Sequence, residues 1–228
     1  MERWPEAFCP RDVFPFSGFG LANRRRPIDG LMITAYFIKY ARMNTGSPLH
    51  PTLWRTCRVL ANRDRLRIFR LLAGKSGLTV SLVAERTQLS LPVASLYLRT
   101  LEARSLLAVR RRGLRVSYRI NNDPAGQLCG LIAVLRSALL RDAASSETIF
   151  KLATAFTHPR RVEIFHAVSA GPKHLTELLA ATGISLRATI RHLGKLEARG
   201  FVVCLNETYT TLCPSNPVGR ELAKLACA

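Results

Sequence analysis

The chain has 228 residues, 48% of them apolar, and Lys and Arg outnumber Asp and Glu by 34 to 15, for a net charge of +19. That apolar content can build cores, the length suits one large domain or two small ones of about 100–150 residues, and the positive surplus points to a polyanion as partner. No stretch approaches the roughly 20 uninterrupted apolar residues of a membrane-spanning helix, so nucleic acid is expected and a membrane is not.

The first fifty residues scatter aromatics, Pro and Gly through WPEAFCPRDVFPFSGFG, then pass through NRRR into GLMITAYFIKYARM. Arg24 to Arg26 before an apolar run outline an export signal, but Lys39 and Arg42 interrupt that run and no A-x-A site follows. Residues 1–50 are therefore expected to be an irregular leader, either disordered or an over-extended translation with the natural start at Met32 or Met43.

From Pro51 the text is periodic. Leu53, Trp54, Cys57 and Leu60, then Leu66, Ile68, Phe69, Leu71 and Leu72, predict two helices broken near Asn62. VSLVAERTQ predicts a short helix, and Ser90 is placed to cap a longer one with Pro92 in its first turn, ending near Ser105. LLAVRRRGLRVSYRIN carries β-prone residues on both sides of a basic Gly turn, a hairpin pattern. Leu128, Leu131, Ile132, Leu135, Ala138 and Leu139 then stripe another helix.

The series restarts with ETIFKLATAFTHPRRVEIFHAVSAG, where Ile164 and Phe165 fall ninety-six residues after Ile68 and Phe69. Leu175, Leu178 and Leu179 predict a short helix, Ser185 is placed to cap SLRATIRHLGKLEARG, FVVCLNETYTTLC predicts a second hairpin, and a last helix runs from about Gly219 to Ala226. The expected fold is mainly α with small β-hairpins: two tandem winged helix-turn-helix domains joined by a helix. Their boundaries are 51–125 for the first, 126–144 for a connecting or dimerisation helix, 145–216 for the second and 217–228 for a C-terminal helix.

In a winged helix the fourth helix enters the major groove and the hairpin touches the adjoining backbone. Ala94, Leu98 and Leu101, like Thr189, Leu193 and Leu196, are spaced four and three apart, so the repeated LEAR endings belong to scaffold. The variable middles carry the functional expectation. Arg187, Arg191 and His192 are the base-reading candidates, with Ser185 at the helix N-terminus for a phosphate. The matching positions of the first unit are Pro92, Leu96 and Tyr97, a poor reader that keeps Ser95 and Arg99 for the backbone. The wings reverse this: Arg110, Arg111, Arg112 and Arg115 crowd the first, and LNETYTT has no basic residue. Residues 51–125 hold fifteen Lys and Arg against four acids, whereas 126–228 hold twelve against seven. A division of labour is expected, with the second unit reading bases and the first gripping phosphates.

LANRDRLRIFRLL and FTHPRRVEIFHAV, with LEARSLLAV and LEARGFVV behind them, resemble the ArsR-type winged-helix repressors over about residues 52–142 and 147–215. The resemblance implies a cytoplasmic, prokaryotic regulator, nucleoid-associated when bound to double-stranded DNA, generally dimeric and released by a metal or another signal. Its usual metal sites are not matched here, since SLVAERTQL has no cysteine and LRSALLRDAA offers Asp142 without a histidine. No cofactor is expected, and the effector stays unnamed. The two units would pair as an intramolecular pseudo-dimer or build a homodimer of composite half-sites.

The six cysteines form no CxxC or CxC pair, and no HExxH, Gly-rich phosphate loop or G-x-S-x-G elbow occurs, so neither a metal site nor an enzyme is expected. The leading function is a sequence-specific DNA-binding transcriptional regulator, specifically a repressor. The alternative is a non-regulatory tandem winged-helix protein, either a replication-initiator-like DNA binder or a chromosome-segregation-type scaffold docking a partner on the apolar face at Leu91 and Leu96.

Overall fold

The computed structural model describes residues 52–228 apart from 76, 114, 124–127 and 143–144, so the expectation for the leader lies outside the described residues. The first half runs α1 Leu53–Leu60, α2 Arg63–Gly74, β1 Leu78–Thr79, α3 Val80–Thr87, α4 Leu91–Glu102, β2 Leu107–Arg112, β3 Arg115–Ile120 and α5 Cys129–Arg141. The same order follows again: α6 Ser145–Ala153, continued by a 3-10 turn Thr154–Phe156, then α7 Pro159–Ser169, β4 Lys173–His174, α8 Leu175–Thr182, α9 Leu186–Glu197, β5 Val202–Leu205, β6 Thr208–Thr211 and α10 Pro217–Cys227.

Mainly helical with small antiparallel sheets, this is a winged helix-turn-helix layout. Each hairpin gains a third strand that the sequence did not suggest, giving sheet orders β1-β3-β2 and β4-β6-β5. Leu78 pairs with Tyr118, and Lys173 with Tyr209. Two residues are too few to display an alternation, which is why β1 and β4 escape a periodicity reading.

Local chemistry sets the helix starts. Asn62 Oδ1 accepts the Arg65 N–H at 2.9 Å, Asn216 Oδ1 accepts that of Val218 at 2.9 Å, and the His158 Nδ1 accepts that of Arg160 at 3.2 Å. Ser90 and Ser185 occupy the expected N-cap positions, but neither side chain makes a capping bond. At the ends of α4 and α9 the chain turns through Ser105 (φ 55°) and Gly200 (φ 72°). There the Leu106 N–H reaches the Leu101 carbonyl at 3.1 Å, and that of Phe201 reaches Leu196 at 3.0 Å.

Leu60, Phe69 and Leu106 fill the first half and Phe156, Phe165 and Phe201 occupy the corresponding places in the second, all inside one contiguous buried cluster. The helices that join the halves exchange roles. α1 packs on α7 as α6 packs on α2, α5 packs on α6 as α10 packs on α1, and α1 with α6 and α5 with α10 close the set.

Two glycines test the packing around α10 differently. A Cβ on Gly219 would lie 2.7 Å from the Pro214 Cβ, a ring atom with little freedom to move, so Gly219→Ala is expected to cost about 1–3 kcal/mol. A Cβ on Gly130 would meet only the carboxylate end of Glu221, at 2.6 Å, which is free to swing aside. Gly130→Ala is expected to be neutral or to stabilise by up to about 1 kcal/mol through helix propensity. Urea midpoints of the two variants check the pair, and equal losses would place both contacts wrongly.

Candidate nucleic-acid interface

α9 divides its residues between two faces. Ala188, Thr189, Leu193 and Leu196 are buried, and the Thr189 hydroxyl donates to the Ser185 carbonyl at 3.1 Å, fixing the first turn. Arg187 and Arg191 are exposed one turn apart. Lys195, absent from the expected site residues, extends the same row by another turn and is exposed; four-residue spacing is the signal for it. Leu186 and Ile190, also exposed, lie alongside and offer apolar contact of the kind a thymine methyl takes. Ser185 is exposed at the head of the helix.

His192 departs from expectation. The sequence predicts an outward-facing residue, but His192 is 4% exposed, and its ring stacks on that of His158 with centroids 4.9 Å apart. The reason is geometric: residue 192 stands four after Ala188 and three after Thr189, on the buried stripe, one step round the helix from Arg191. Burial, foremost, and then His158 and the positive Arg161, Arg191 and Arg160 hold its imidazole down to about 4. At neutral pH it is an uncharged inward ring, unsuited to reading a base edge.

α4 presents a different surface. Leu91 and Leu96 are 53% and 61% exposed, Pro92 lies beside them in the open, and Tyr97 is half-buried with the Arg65 guanidinium 5.5 Å from its ring centre. Arg99 is exposed and Ser95 half-buried one turn earlier, so the two polar candidates share a line along the helix.

Strand pairing sorts the first wing. Arg110 faces Ser117 across the ladder, Arg112 faces Arg115, and Ala108 faces Arg119. Paired residues share a face and neighbours along a strand alternate. Arg110, Arg112, Arg115 and Arg119 therefore form one basic face, all exposed. Arg119 is an addition: the R-x-S-x-R alternation of β3 was its signal. Arg111 pairs with Val116 and lies on the opposite face, with Val109 and the buried Tyr118. Burial pushes the Tyr118 hydroxyl up, Glu102 adds to this, and Arg99 and Arg111 oppose it, so both arginines lie near that second face. The second wing ends in Asn206 and Glu207 at φ 49° and 62°, with exposed Leu205 beside an exposed carboxylate that repels phosphate.

The arginines that close the repeated LEAR sequences are not simply solvated. Arg199 reaches back to donate to the Thr154 hydroxyl at 2.8 Å, and burial lowers the pKa of the half-buried Arg104. Among the described residues no group of three or more His, Cys, Asp and Glu is placed to hold a metal ion, and no helix is long and apolar enough to cross a membrane.

Residues 158–203, from the N-cap of α7 into β5, match the model of the bacterial regulatory proteins of the arsR family. They form one helix-turn-helix unit of that type, with α8 and α9 as its two helices. Comparison with curated proteins and with solved structures gives no significant match.

Proposed function

We propose that this chain is a sequence-specific DNA-binding transcription regulator, acting as a cytoplasmic repressor of prokaryotic type rather than as an enzyme. The observation that carries the reading is the exposed row Arg187, Arg191 and Lys195 on the second helix of the matched helix-turn-helix. Such a row presents bidentate donors to the edges of successive base pairs in a major groove. Selection of bound duplexes from a random pool by the full chain is expected to return a defined motif. Recovery of an unenriched pool would remove sequence-specific recognition.

The finer reading takes residues 51–125 and 145–216 as two tandem winged-helix units joined through 126–144 and ended by 217–228. The exchanged packing of α1 with α7 and α6 with α2 supports a pseudo-dimer within one chain. Sedimentation is then expected to give a monomer whose footprint on the selected site is asymmetric; a stable dimer on a palindrome would overturn that arrangement.

In this reading the first unit holds the backbone through Arg110, Arg112, Arg115 and Arg119. Each phosphate contact contributes roughly 0.9 to the slope of log affinity against log salt. Replacing the four with Gln is expected to flatten the slope by about 3.6, with Arg111→Gln alone changing it little. An unchanged slope would show that this face does not touch DNA.

Exposed Leu91, Leu96 and Leu82 favour a second reading, in which the first unit docks a protein partner in a replication-initiator or segregation role. A genome-wide binding map separates the two. Discrete promoter sites support the regulator, a single origin-like site supports an initiator, and no preference supports a scaffold.

A further inference from the structure

The two halves solve one local packing problem in different ways. An arginine stands third in the second helix of each half, Arg65 in α2 and Arg161 in α7, and a ring from the long helix lies at the corresponding place beside it, Tyr97 or His192. In the first half the arginine is engaged. Arg65 Nε donates to the Val59 carbonyl at 2.7 Å, a terminal nitrogen donates to the Arg58 carbonyl at 3.0 Å, and the guanidinium lies over Tyr97.

In the second half the same place is left unsatisfied. Arg161 is 6% exposed and donates to the Thr157 hydroxyl, while its buried Nε has no partner. Both ring nitrogens of the adjacent His192 are buried without a partner as well. His158, the N-cap of α7, stacks on His192 and spends its Nδ1 on the Arg160 N–H.

The charges acting here are nearly all of one sign. His158 responds to Arg161, Arg160, Arg58 and Arg191; Arg161 responds to Arg199 and Arg191, with the Cys57 thiol opposing them. Burial drives that thiol's pKa far up, so it stays protonated and neutralises nothing. The ion pairs of Arg63 with Glu147 and of Arg67 with Asp64 lie elsewhere. A buried guanidinium without an anion is costly, and an unmade buried donor adds to the cost.

We propose that the junction of α1, α7 and α9 is a binding site for a small tetrahedral oxyanion of the phosphate type, held by Arg161 and His192 with Arg58, Arg160 and Arg191 around them. Such a group is acceptor-only and multiply charged, so it answers the Arg161 Nε–H and a His192 N–H together. The positive end of α7 adds to the attraction. A duplex phosphate would reach exposed Arg160 and Arg191 only, so engagement of the enclosed Arg161 and His192 nitrogens calls for a small free anion and for the helices to part around it. Arg191 and His192 are consecutive on α9, so occupancy would act directly behind the proposed base readers. That link rests on the DNA-binding reading, whereas the site itself does not.

Burial and the neighbouring arginines keep both histidines below their ordinary range, His192 at about 4. A bound anion favours their charged forms, so their midpoints rise on binding and affinity strengthens as pH falls.

The test follows the imidazole signals of the full chain by NMR during titration with inorganic phosphate, against sodium chloride at matched ionic strength. Saturable shifts of His158 and His192, with the His192 midpoint raised by about one pH unit, are expected. His192→Tyr installs the first half's arrangement and is expected to keep the fold and abolish the saturable shift of His158. Arg161→Gln, the second variant, is expected to weaken phosphate binding at least tenfold. Shifts that match those in chloride, or that appear with a DNA duplex and not with phosphate, would overturn the proposal. Phosphate binding in a chain that selects no DNA would leave the site standing and remove the regulator reading.

Discussion

Arg187→Ala combined with Arg191→Ala is expected to erase the preference for a selected DNA motif while leaving weak, salt-sensitive binding. A bidentate arginine on a guanine edge discriminates by about 1–3 kcal/mol, roughly 5- to 150-fold at each position. The residual binding comes from charge: the basic face of β2 and β3 lies in the other half and is untouched by the change. Both side chains are exposed, so the variant should unfold at the same temperature as the native chain. Repeating the selection with the variant checks this, and an unchanged motif would remove α9 as the reader.

Phe165→Ala is expected to be the most damaging single truncation. Phe165 meets Phe156 edge-on at 5.2 Å and Phe201 at 6.1 Å, and Phe156 meets Phe201 at 4.7 Å. Truncation leaves a cavity at this triad and costs about 3–5 kcal/mol, a large share of the roughly 5–15 kcal/mol that holds a domain folded. Phe69→Ala, at the matching place among Leu60 and Leu106, loses no edge-to-face pair among the described residues and is expected to cost less by about 0.5–1.5 kcal/mol per pair. Urea unfolding measures both, with one transition expected because the buried cluster is continuous across the halves. Two separated transitions would mean that the halves unfold independently.

The helices and hairpins were legible because each is a local object. Ile164 and Phe165 repeat Ile68 and Phe69 inside windows short enough for the helical period to show, and RRRGLR marks its own turn. Arg187 and Arg191 were legible for the same reason: the stripe of Thr189, Leu193 and Leu196 leaves them on the opposite side. Arg119 and Lys195 are equally legible from strand alternation and four-residue spacing, inside the same hairpin and helix stretches. His192 reads as outward because its type favours solvent, yet it sits at the edge of the stripe, where its angle turns it inward.

By itself the sequence determined the order of elements, their near repetition, the excess of positive charge and its concentration in the first wing. These follow from caps, periods of 3.6 and 2, and simple composition, all short-range properties. The tertiary structure decided which boundary residues are covered and by what. Residues far apart in sequence close over His192 and Arg161, and nothing within either residue's own helix announces that the Arg65 and Tyr97 pair is satisfied while the Arg161 and His192 pair is not. Burial at the margin of a helix face depends on what packs from tens of residues away.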